Sequence, residues 1–300
     1  IESYSLRLGE DISGQATIER HLVQALNLFE TDGKTAYLPL LEEEGFLSFY
    51  SVPLIAKGQV KGVLDIFNRK LITLDQEWIN FLETLAGQAA IAIDNTTLLE
   101  NLQKSNIELS LAYDTTLEGW TRALDLRDQE TEGHTQRVVE ITLRLAQLMG
   151  FSNGDLVHIR RGALLHDIGK IGIPDSILLK PGPLSEEEWQ VMHKHPEFAY
   201  NLLSPITHLH QAIDIPYCHH EWWNGSGYPR HLKGKDIPLA ARIFSVVDVW
   251  DALTSDRPYR KAWSFKKAID YIESQKGIQF DPEVVDLFMK IIKNELFKKI

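Results

Sequence analysis

The sequence predicts an α+β region with an antiparallel sheet, then a long helix, then an all-α region. Three observations support this order. Two apolar, strand-like runs between residues 46 and 67 are separated by a short turn that contains glycine. The stretch from Ile91 to about Leu124 has no proline and a single glycine. Beyond it, helical spacing alternates with loops rich in glycine and proline, and no alternating strand pattern appears.

The first element that can be placed is a β-hairpin. Its strands are Phe46–Ile55 and Val60–Phe67, and Ala56–Gln59 forms the turn between them. Apolar runs joined by a short glycine-containing turn are typical of paired antiparallel strands. The N-terminal region therefore contains at least this part of a sheet.

A helix is predicted to follow the hairpin. Thr73–Glu77 supplies a capping signal before a helical pattern that starts near Trp78. Spacing of i, i+3 and i+4 predicts one apolar face that packs on the sheet. The residues of that predicted face are Phe81, Leu82, Leu85, Ala86, Ala89 and Ile93.

The continuation of this helix predicts a coiled coil with a second copy of the chain. Two series of residues recur every seven positions, as coiled-coil pairing requires. The alternative is a connecting helix that packs on its own domain. The two series are Ile91, Leu98, Ser105 and Ala112, and Asn95, Leu102, Leu109 and Thr116.

Length, composition and charge limit the function classes. A chain of 300 residues favours two domains, and 44% apolar with 24% charged residues is typical of globular proteins. The net charge of −11 argues against binding long nucleic acid, because phosphate contacts need lysine and arginine. A small phosphate ligand stays compatible with this charge if metal ions supply positive charge locally.

Compartment signals are few. No apolar run approaches the ~18 residues of a membrane span, and the N-terminus lacks the pattern of a signal peptide. Cys218 is the single cysteine, which excludes a disulfide within the chain. The interpretation is a cytoplasmic protein without a membrane segment, which is compatible with its being one piece of a longer, tethered chain.

Histidines and carboxylates group together after residue 130, where all but one of the eleven histidines lie. Glu130 and His134 are four apart in a helical stretch, so one face presents both, as metal-ligand pairs require. The alternative for this pair is a solvated contact on a helix surface. His166 and Asp167 follow an apolar run, where polar groups need a strong partner such as a metal or a hydrogen bond.

Three further groups complete the set of candidate metal ligands. Asp248 lies within an apolar run and again needs a partner, whereas Asp251 either joins it or pairs with an arginine such as Arg257. Imidazole and carboxylate donors without cysteine suit catalytic iron, manganese or zinc rather than structural zinc. The groups are His193 and His195, His219–Glu221, and Asp248 with Asp251.

The motifs around these residues resemble a known family. His166–Lys170 resembles the HD superfamily of metal phosphohydrolases, and His219–Pro229 resembles the signature of its HD-GYP subgroup. Asn224 is a departure, at a loop position where aspartate is common. Further motifs extend the resemblance in order over about residues 118–290: Gly172–Pro174, Lys180–Leu184, His195–Pro196 and Asp248–Arg260.

The resemblance implies an all-α HD-type domain that hydrolyses cyclic di-GMP to pGpG through a metal-activated hydroxide, and it leaves open whether hydrolysis continues to GMP. It implies two or three divalent metal ions, iron in the first place and manganese as the alternative. The implied ligands are Glu130, which adds a third-metal ligand in some members, and His134, His166, Asp167, His195, His219, His220 and Asp248.

The same resemblance implies roles around the substrate. Asp167 is the bridging carboxylate and Lys170 contacts a phosphate, so these two are the implied catalytic residues. Tyr228, Arg257 and Arg260 match positions around the nucleotide. Two alternatives stay open: a catalytically weak module that binds a cyclic dinucleotide or a partner protein, and a di- or tri-iron redox enzyme.

The N-terminal part resembles a GAF domain, a sensory fold with a central antiparallel sheet, most clearly over Ser48–Asp94. Gly9–Gly14 resembles a loop from the middle of that fold, so an abbreviated GAF-like domain is expected. The expected domains are 1–94 GAF-like, 95–120 linker helix and 121–300 HD-GYP. The GAF-like domain and linker helix are expected to form a homodimer, with a role purely as scaffold as the alternative to sensing.

Overall fold

The computed structural model describes residues 11–28, 41, 43–128, 133–256 and 260–298. The chain divides into two compact units, Ile1–Leu109 and Ser110–Ile300. Of the described helices, none is both long and apolar enough to cross a membrane.

The N-terminal unit contains a three-stranded antiparallel sheet. Its strands, β1 (Val23–Ala25), β2 (Ser48–Ala56) and β3 (Gln59–Asn68), lie side by side in chain order. The predicted hairpin is confirmed, with Lys57 and Gly58 at its turn, and both have positive φ. Asp65 on β3 accepts hydrogen bonds from Ser13 and Ser51, which ties the first helix and β2 to this strand. This first helix is α1 (Ile12–Glu19).

Helix α2 (Gln76–Asp128) is a single helix that begins in the N-terminal unit and ends in the C-terminal unit. The Asp75 carboxylate accepts a hydrogen bond from the Trp78 amide at 2.9 Å, which caps the first turn where the sequence predicts it. The predicted linker helix, residues 95–120, lies in the middle of this helix, as the uninterrupted helical pattern of the sequence suggests.

The predicted apolar face of α2 is partly wrong. Leu82, Ala86 and Ala90 pack on the sheet and are at most 7% exposed. Phe81 and Leu85 are instead about half exposed, as is Ile93. Apolar side chains occupy two sides of this helix, so their spacing alone did not identify the side that faces the core.

The C-terminal unit is all-α over its described residues, apart from one isolated bridge between Lys276 and Phe280. Besides the end of α2, three short 3-10 turns connect its helices. The helices are α3 (His134–Leu148), α4 (Asn153–Leu164), α5 (Asp175–Leu178), α6 (Glu186–Met192), α7 (His195–Leu203), α8 (Asp214–Cys218), α9 (Leu239–Thr254), α10 (Phe265–Ser274) and α11 (Pro282–Lys298).

The main core of this unit lies between α3, α4, α9, α10 and α11. Val138, Leu145, Phe244 and Phe288 are fully buried in it. A second apolar cluster, which includes Leu117 from α2, joins the end of α4 to α7. Burial of these side chains, each worth about 1.5–3 kcal/mol, fixes the helix ends that carry the candidate ligands.

Candidate metal centre

Five segments bring polar side chains to one place in the C-terminal unit. His134 is the first residue of α3, and His195 is the first residue of α7. The pairs His166–Asp167 and His219–His220 directly follow α4 and α8. Asp248 lies in the middle of α9. Most of the site therefore consists of residues at helix ends, and the long helix α9 contributes the remaining residue from its middle.

The seven described ligand candidates form two groups. The first group joins Asp167, His195, His219 and His220, and the second joins His134, His166 and Asp248. Within each group, the potential donor atoms lie within 4.8 Å of one another. Glu130, the remaining predicted ligand, lies outside the described residues.

The Asp167 carboxylate lies between the two groups. Its Oδ2 is 3.1 Å from Nε2 of His166, in the second group. Its Oδ1 is 3.4 Å from Nε2 of His195 and 3.9 Å from Nε2 of His219, in the first group. One carboxylate thus presents a separate oxygen atom to each group, which is the geometry that bridging requires.

The imidazoles are oriented by hydrogen bonds on their far sides. Because a carbonyl oxygen only accepts, Nδ1 must carry the proton and Nε2 then presents a lone pair to the cluster. The carbonyl partners are Ala163 for His166 at 2.9 Å, Met192 for His195 at 2.9 Å and Ile215 for His219 at 3.0 Å.

His134 is oriented by a carboxylate instead. Its Nδ1 lies 2.7 Å from Oδ2 of Asp251, and the Arg137 guanidinium donates to both oxygens of that carboxylate at 2.6 and 2.9 Å. Burial raises the pKa of Asp251, but the bonds from His134 and Arg137 outweigh it and lower the pKa to about 2. Asp251 is therefore ionised and pairs with Arg137, whereas the suggested partner Arg257 lies outside the described residues.

Gly169 permits the close approach of the two ligand segments of the first group. A Cβ at this position would lie 1.8 Å from the His195 carbonyl oxygen and 2.7 Å from the Ala199 nitrogen. Both atoms belong to the α7 backbone, which cannot move aside as a side chain can. The absence of a side chain at residue 169 therefore lets His195 approach Asp167.

The electrostatics of the site fit divalent cations. Nε2 of His195 and Nε2 of His219 are only 3.4 Å apart, so their two lone pairs repel unless a cation lies between them. Burial, together with neighbouring histidines, lowers the pKa of His219 and of His220 well below the usual range, which keeps both imidazoles neutral. Neutral imidazoles and carboxylates, with no thiol, match the donors of catalytic iron, manganese and zinc sites.

The second group differs from the first in the charge of its imidazole and carboxylate side chains. Burial disfavours a charged imidazole at His166, yet the nearby Asp167 and Asp248 carboxylates raise its pKa to about 9. Burial likewise raises the pKa of Asp167, but Lys170 and His166 together hold it well below the usual range. A positive charge is thus favoured beside these carboxylates. In the metal-free protein the proton on His166 supplies it, and a metal ion that replaced this proton would meet the Nε2 lone pair.

The predicted substrate residues lie in different surroundings. Nζ of Lys170 is 2.7 Å from Oδ2 of Asp167, at the edge of the centre. The Tyr228 ring stacks on His220, with centroids 4.7 Å apart, and on His193 at 4.0 Å. Arg260 instead donates to the Ala252 carbonyl and lies over the Trp263 ring. Arg257 lies outside the described residues.

The supporting residues were predicted only in part. Arg137 was not predicted, although it lies three positions after His134 on α3, so helical spacing was an available signal. Asp251 and Glu221 were named as members of candidate ligand groups, but the Asp251 carboxylate instead orients His134. Glu221, 2% exposed, accepts hydrogen bonds from the Arg230 and Leu232 amides and holds the loop that carries Tyr228.

Comparison with known proteins gives two family matches. The HD domain matches residues 120–284, and the GAF domain matches residues 1–94. These are the two families that the motifs resemble. The fold expected from them, a GAF-like antiparallel sheet followed by a long helix and an all-α HD-type domain, is confirmed.

Three curated proteins are among the relatives. The cyclic di-GMP phosphodiesterase of Thermotoga maritima is 38% identical over 80% of this chain and 68% of its own length. The cyclic di-GMP phosphodiesterase response regulator RpfG of Xanthomonas campestris is 41% identical over 70% and 56%. The 3'3'-cGAMP-specific phosphodiesterase 2 of Vibrio cholerae is 35% identical over 75% and 41%. The chain thus spans between two fifths and two thirds of the length of these relatives.

Proposed function

The chain belongs to the HD domain family, and from that premise we propose that it is a metal-dependent phosphodiesterase that hydrolyses cyclic di-GMP. The first product is linear pGpG, and a second hydrolysis yields GMP. One observation supports this function above all: the Asp167 carboxylate directs one oxygen to each of two imidazole groups. Similar proteins are named cyclic di-GMP phosphodiesterases.

The ions that this proposal assigns are two or three divalent cations, iron first and manganese as the alternative. When bound, such ions lower the pKa of water towards neutrality and neutralise charge on phosphate oxygens. Glu130 is the proposed additional ligand for a third ion. The other proposed ligands are His134, His166, Asp167, His195, His219, His220 and Asp248.

Lys170 and Tyr228 are the proposed contacts to the substrate. The Lys170 ammonium lies at the edge of the cluster and can donate a charge-assisted hydrogen bond to a phosphate oxygen. The Tyr228 ring, stacked on His220, forms an apolar wall beside the ions on which a base or ribose can rest. Arg257 stays a proposed nucleotide contact. Arg260 would first have to release the Ala252 carbonyl.

The direct test is an assay of the purified protein, loaded anaerobically with Fe²⁺ or Mn²⁺, on cyclic di-GMP and on 3'3'-cGAMP. Turnover of cyclic di-GMP to a linear dinucleotide supports the proposal. Faster turnover of 3'3'-cGAMP than of cyclic di-GMP would instead identify 3'3'-cGAMP as the substrate. Tight binding without turnover supports a binding module instead. Oxygen consumption without hydrolysis supports a redox enzyme.

Loss of the Asp251 charge is expected to weaken metal binding by the second ligand group. In Asp251→Asn, the amide no longer supplies an anionic acceptor to His134 Nδ1, and Arg137 loses its paired charge. Changes at such supporting positions typically reduce metal affinity about 10–100-fold. Calorimetric titration with Mn²⁺ measures this loss, and an affinity equal to that of the wild type would contradict the orienting role.

We also propose that the chain acts as a homodimer through the exposed seam of α2. Every residue from Asn95 to Leu109 is exposed, so this part of the helix is not buried against the described parts of the chain. An isolated helix of such length is marginal in water. A partner that covers it would therefore stabilise it.

The seam fits a second copy of the same helix. Its positions follow 3.5-residue spacing, and Leu85, Leu99 and Leu102 on it are 46–65% exposed. Asp94, Glu100, Lys104 and Glu108 are the charged residues of 84–113, and all four lie away from the seam and its flanks. Two copies thus meet without like-charge repulsion. The seam consists of Leu85, Gln88, Ala92, Asn95, Leu99, Leu102, Asn106 and Leu109.

The two asparagines indicate a parallel, in-register pair, because each then meets its own counterpart and not a leucine. This seam keeps Asn95, Leu102 and Leu109 of the predicted heptads. It replaces the weaker series, which contains Ser105 and Ala112, with leucine-rich positions.

A glutamate in the seam is expected to dissociate the dimer. Leu102→Glu buries an unpaired charge, which costs about 3–5 kcal/mol and raises the dimer dissociation constant about 100-fold or more. Ile107→Glu is the matched control, since Ile107 is equally exposed at 62% but lies off the seam. Light scattering is expected to show a monomer for the first variant and a dimer for the second. A monomeric wild-type chain, or two variants of equal mass, would refute the seam.

A further inference from the structure

The C-terminal turn of α2 holds the turn that follows the His166–Asp167 pair. Arg127, one residue before the end of the helix, donates to the carbonyl oxygens of Lys170, Ile171 and Ile173 at 2.6–3.1 Å. It also binds the Asp175 carboxylate through Nε at 3.0 Å and Nη2 at 2.7 Å. A single guanidinium thus binds three carbonyl oxygens of the four-residue stretch 170–173, between the ligands and α5.

The last residue of α2 continues this contact into the metal centre. Oδ2 of Asp128 is 3.1 Å from Nζ of Lys170, and this Nζ also lies 2.7 Å from Oδ2 of Asp167. The Asp128 side chain is only 5% exposed, and that of Lys170 is 18% exposed. Little solvent screens the charges of this carboxylate–ammonium–carboxylate series. A change of charge at Asp128 therefore alters the electrostatic potential at Asp167.

We propose that Asp128 and Arg127 are positioning residues, through which the end of α2 sets the place of the Lys170 ammonium beside the Asp167 carboxylate. The inference rests on the proposed metal centre. Asp128 acts through the Lys170 ammonium, and Arg127 acts through the backbone that carries it.

The expected direction follows from charge. With Asp128 present, its carboxylate attracts the Lys170 ammonium as that of Asp167 does. Without that negative charge, the ammonium is held less firmly on the α2 side and interacts more strongly with Asp167, and the cluster gains one net positive charge nearby. Both effects make Asp167 a poorer ligand for a divalent cation, although no ligand atom has been removed.

Asp114 supplies a control on the same helix. Its carboxylate accepts from Arg161 at 2.8 Å, and Arg161 is nearly buried at 8% exposed. This pair also attaches α2 to the rest of the unit, but it involves none of the seven ligand candidates. A purely structural role of α2 predicts equal effects at Asp114 and Asp128.

The test is calorimetric titration of the full chain with Mn²⁺, together with thermal melting of the metal-free protein. Asp128→Asn is expected to weaken Mn²⁺ binding about 10–100-fold, as supporting residues of metal sites do, whereas Asp114→Asn changes it less than about threefold. Asp128→Glu restores the charge and is expected to recover most of the affinity. Arg127→Gln, which keeps Asp128, is expected to give a smaller loss.

The outcomes separate this inference from the proposed function. Weaker Mn²⁺ binding by Asp128→Asn, at a melting temperature equal to that of Asp114→Asn, supports it even if cyclic di-GMP is not hydrolysed. Equal Mn²⁺ affinity in the two asparagine variants overturns it, even if the wild type is a fully active phosphodiesterase. If Asp128→Asn does not fold, unchanged Mn²⁺ affinity in Arg127→Gln overturns it.

Discussion

Replacing Asp167 with alanine is expected to remove the bound metal ions and the hydrolysis together. Among the described residues, Asp167 is the only carboxylate of the first ligand group, and its two oxygens face the two groups. Its loss leaves three neutral imidazoles in the first group and separates it from the second. A decrease in turnover of about 1000-fold or more corresponds to about 4 kcal/mol of lost transition-state stabilisation.

This result is measured as metal content per chain after gel filtration and as pGpG formed from cyclic di-GMP. Asp270→Ala is the matched control, because Asp270 is an exposed aspartate on α10 outside both ligand groups. It is expected to keep the metal content and the turnover of the wild type. Full metal content in Asp167→Ala, with turnover retained, would refute the bridging role.

The second large effect is expected from Gly169→Ala, which adds one methyl group. The added Cβ would lie 1.8 Å from the His195 carbonyl oxygen, so the turn after Asp167 and the start of α7 must separate. Overpacking of this kind costs about 1–3 kcal/mol, and more when backbone must move. Because the separation also moves His195 from Asp167, Mn²⁺ binding is expected to fall with the stability.

Gly119→Ala on α2 is the control for this substitution. A Cβ at Gly119 has no atom within 4 Å, and alanine in a helix interior is favoured over glycine by about 0.5–1 kcal/mol. Denaturant unfolding should therefore show a gain in stability for Gly119→Ala and a loss for Gly169→Ala. Equal stabilities would mean that the close approach at Gly169 is not required.

The candidate ligands could be picked out from sequence because each lies in a local motif, and their role as ligands stays a prediction. His166 and Asp167 adjoin one another, and so do His219 and His220, so a short segment supplies each pair. The expectation that five segments converge agrees with the two ligand groups. Their assignment to particular metal ions stays a prediction.

The partners of the ligands could not be predicted in the same way. Asp251 is 117 positions from His134, and Asp128 is 42 from Lys170, so only the packed fold brings them together. For Arg260, in contrast, a local motif did suggest a role, and the observed contacts differ from it. Its motif position suggests a nucleotide contact, yet its guanidinium binds the Ala252 carbonyl and lies over the Trp263 ring.

Helix α2 shows why helical periodicity was insufficient for its buried face. Leu82 and Ala86 face the sheet, while Phe81 and Leu85 lie on the exposed side one position earlier in each turn. A helix with one apolar side indicates its core face directly. A helix with two apolar sides does not indicate its core face in this way, because apolar residues then recur with helical spacing on both sides.

Electron paramagnetic resonance of the metal-free protein titrated with Mn²⁺ tests the shared carboxylate most directly. Ions held on either side of Asp167 lie about 3.5–4 Å apart, as in other two-metal sites, and their spins couple. A spin-coupled spectrum that develops as the second equivalent binds, and that is absent in Asp167→Ala, is the predicted result. A six-line spectrum of isolated Mn²⁺ at every stage of the titration would contradict a bridged centre.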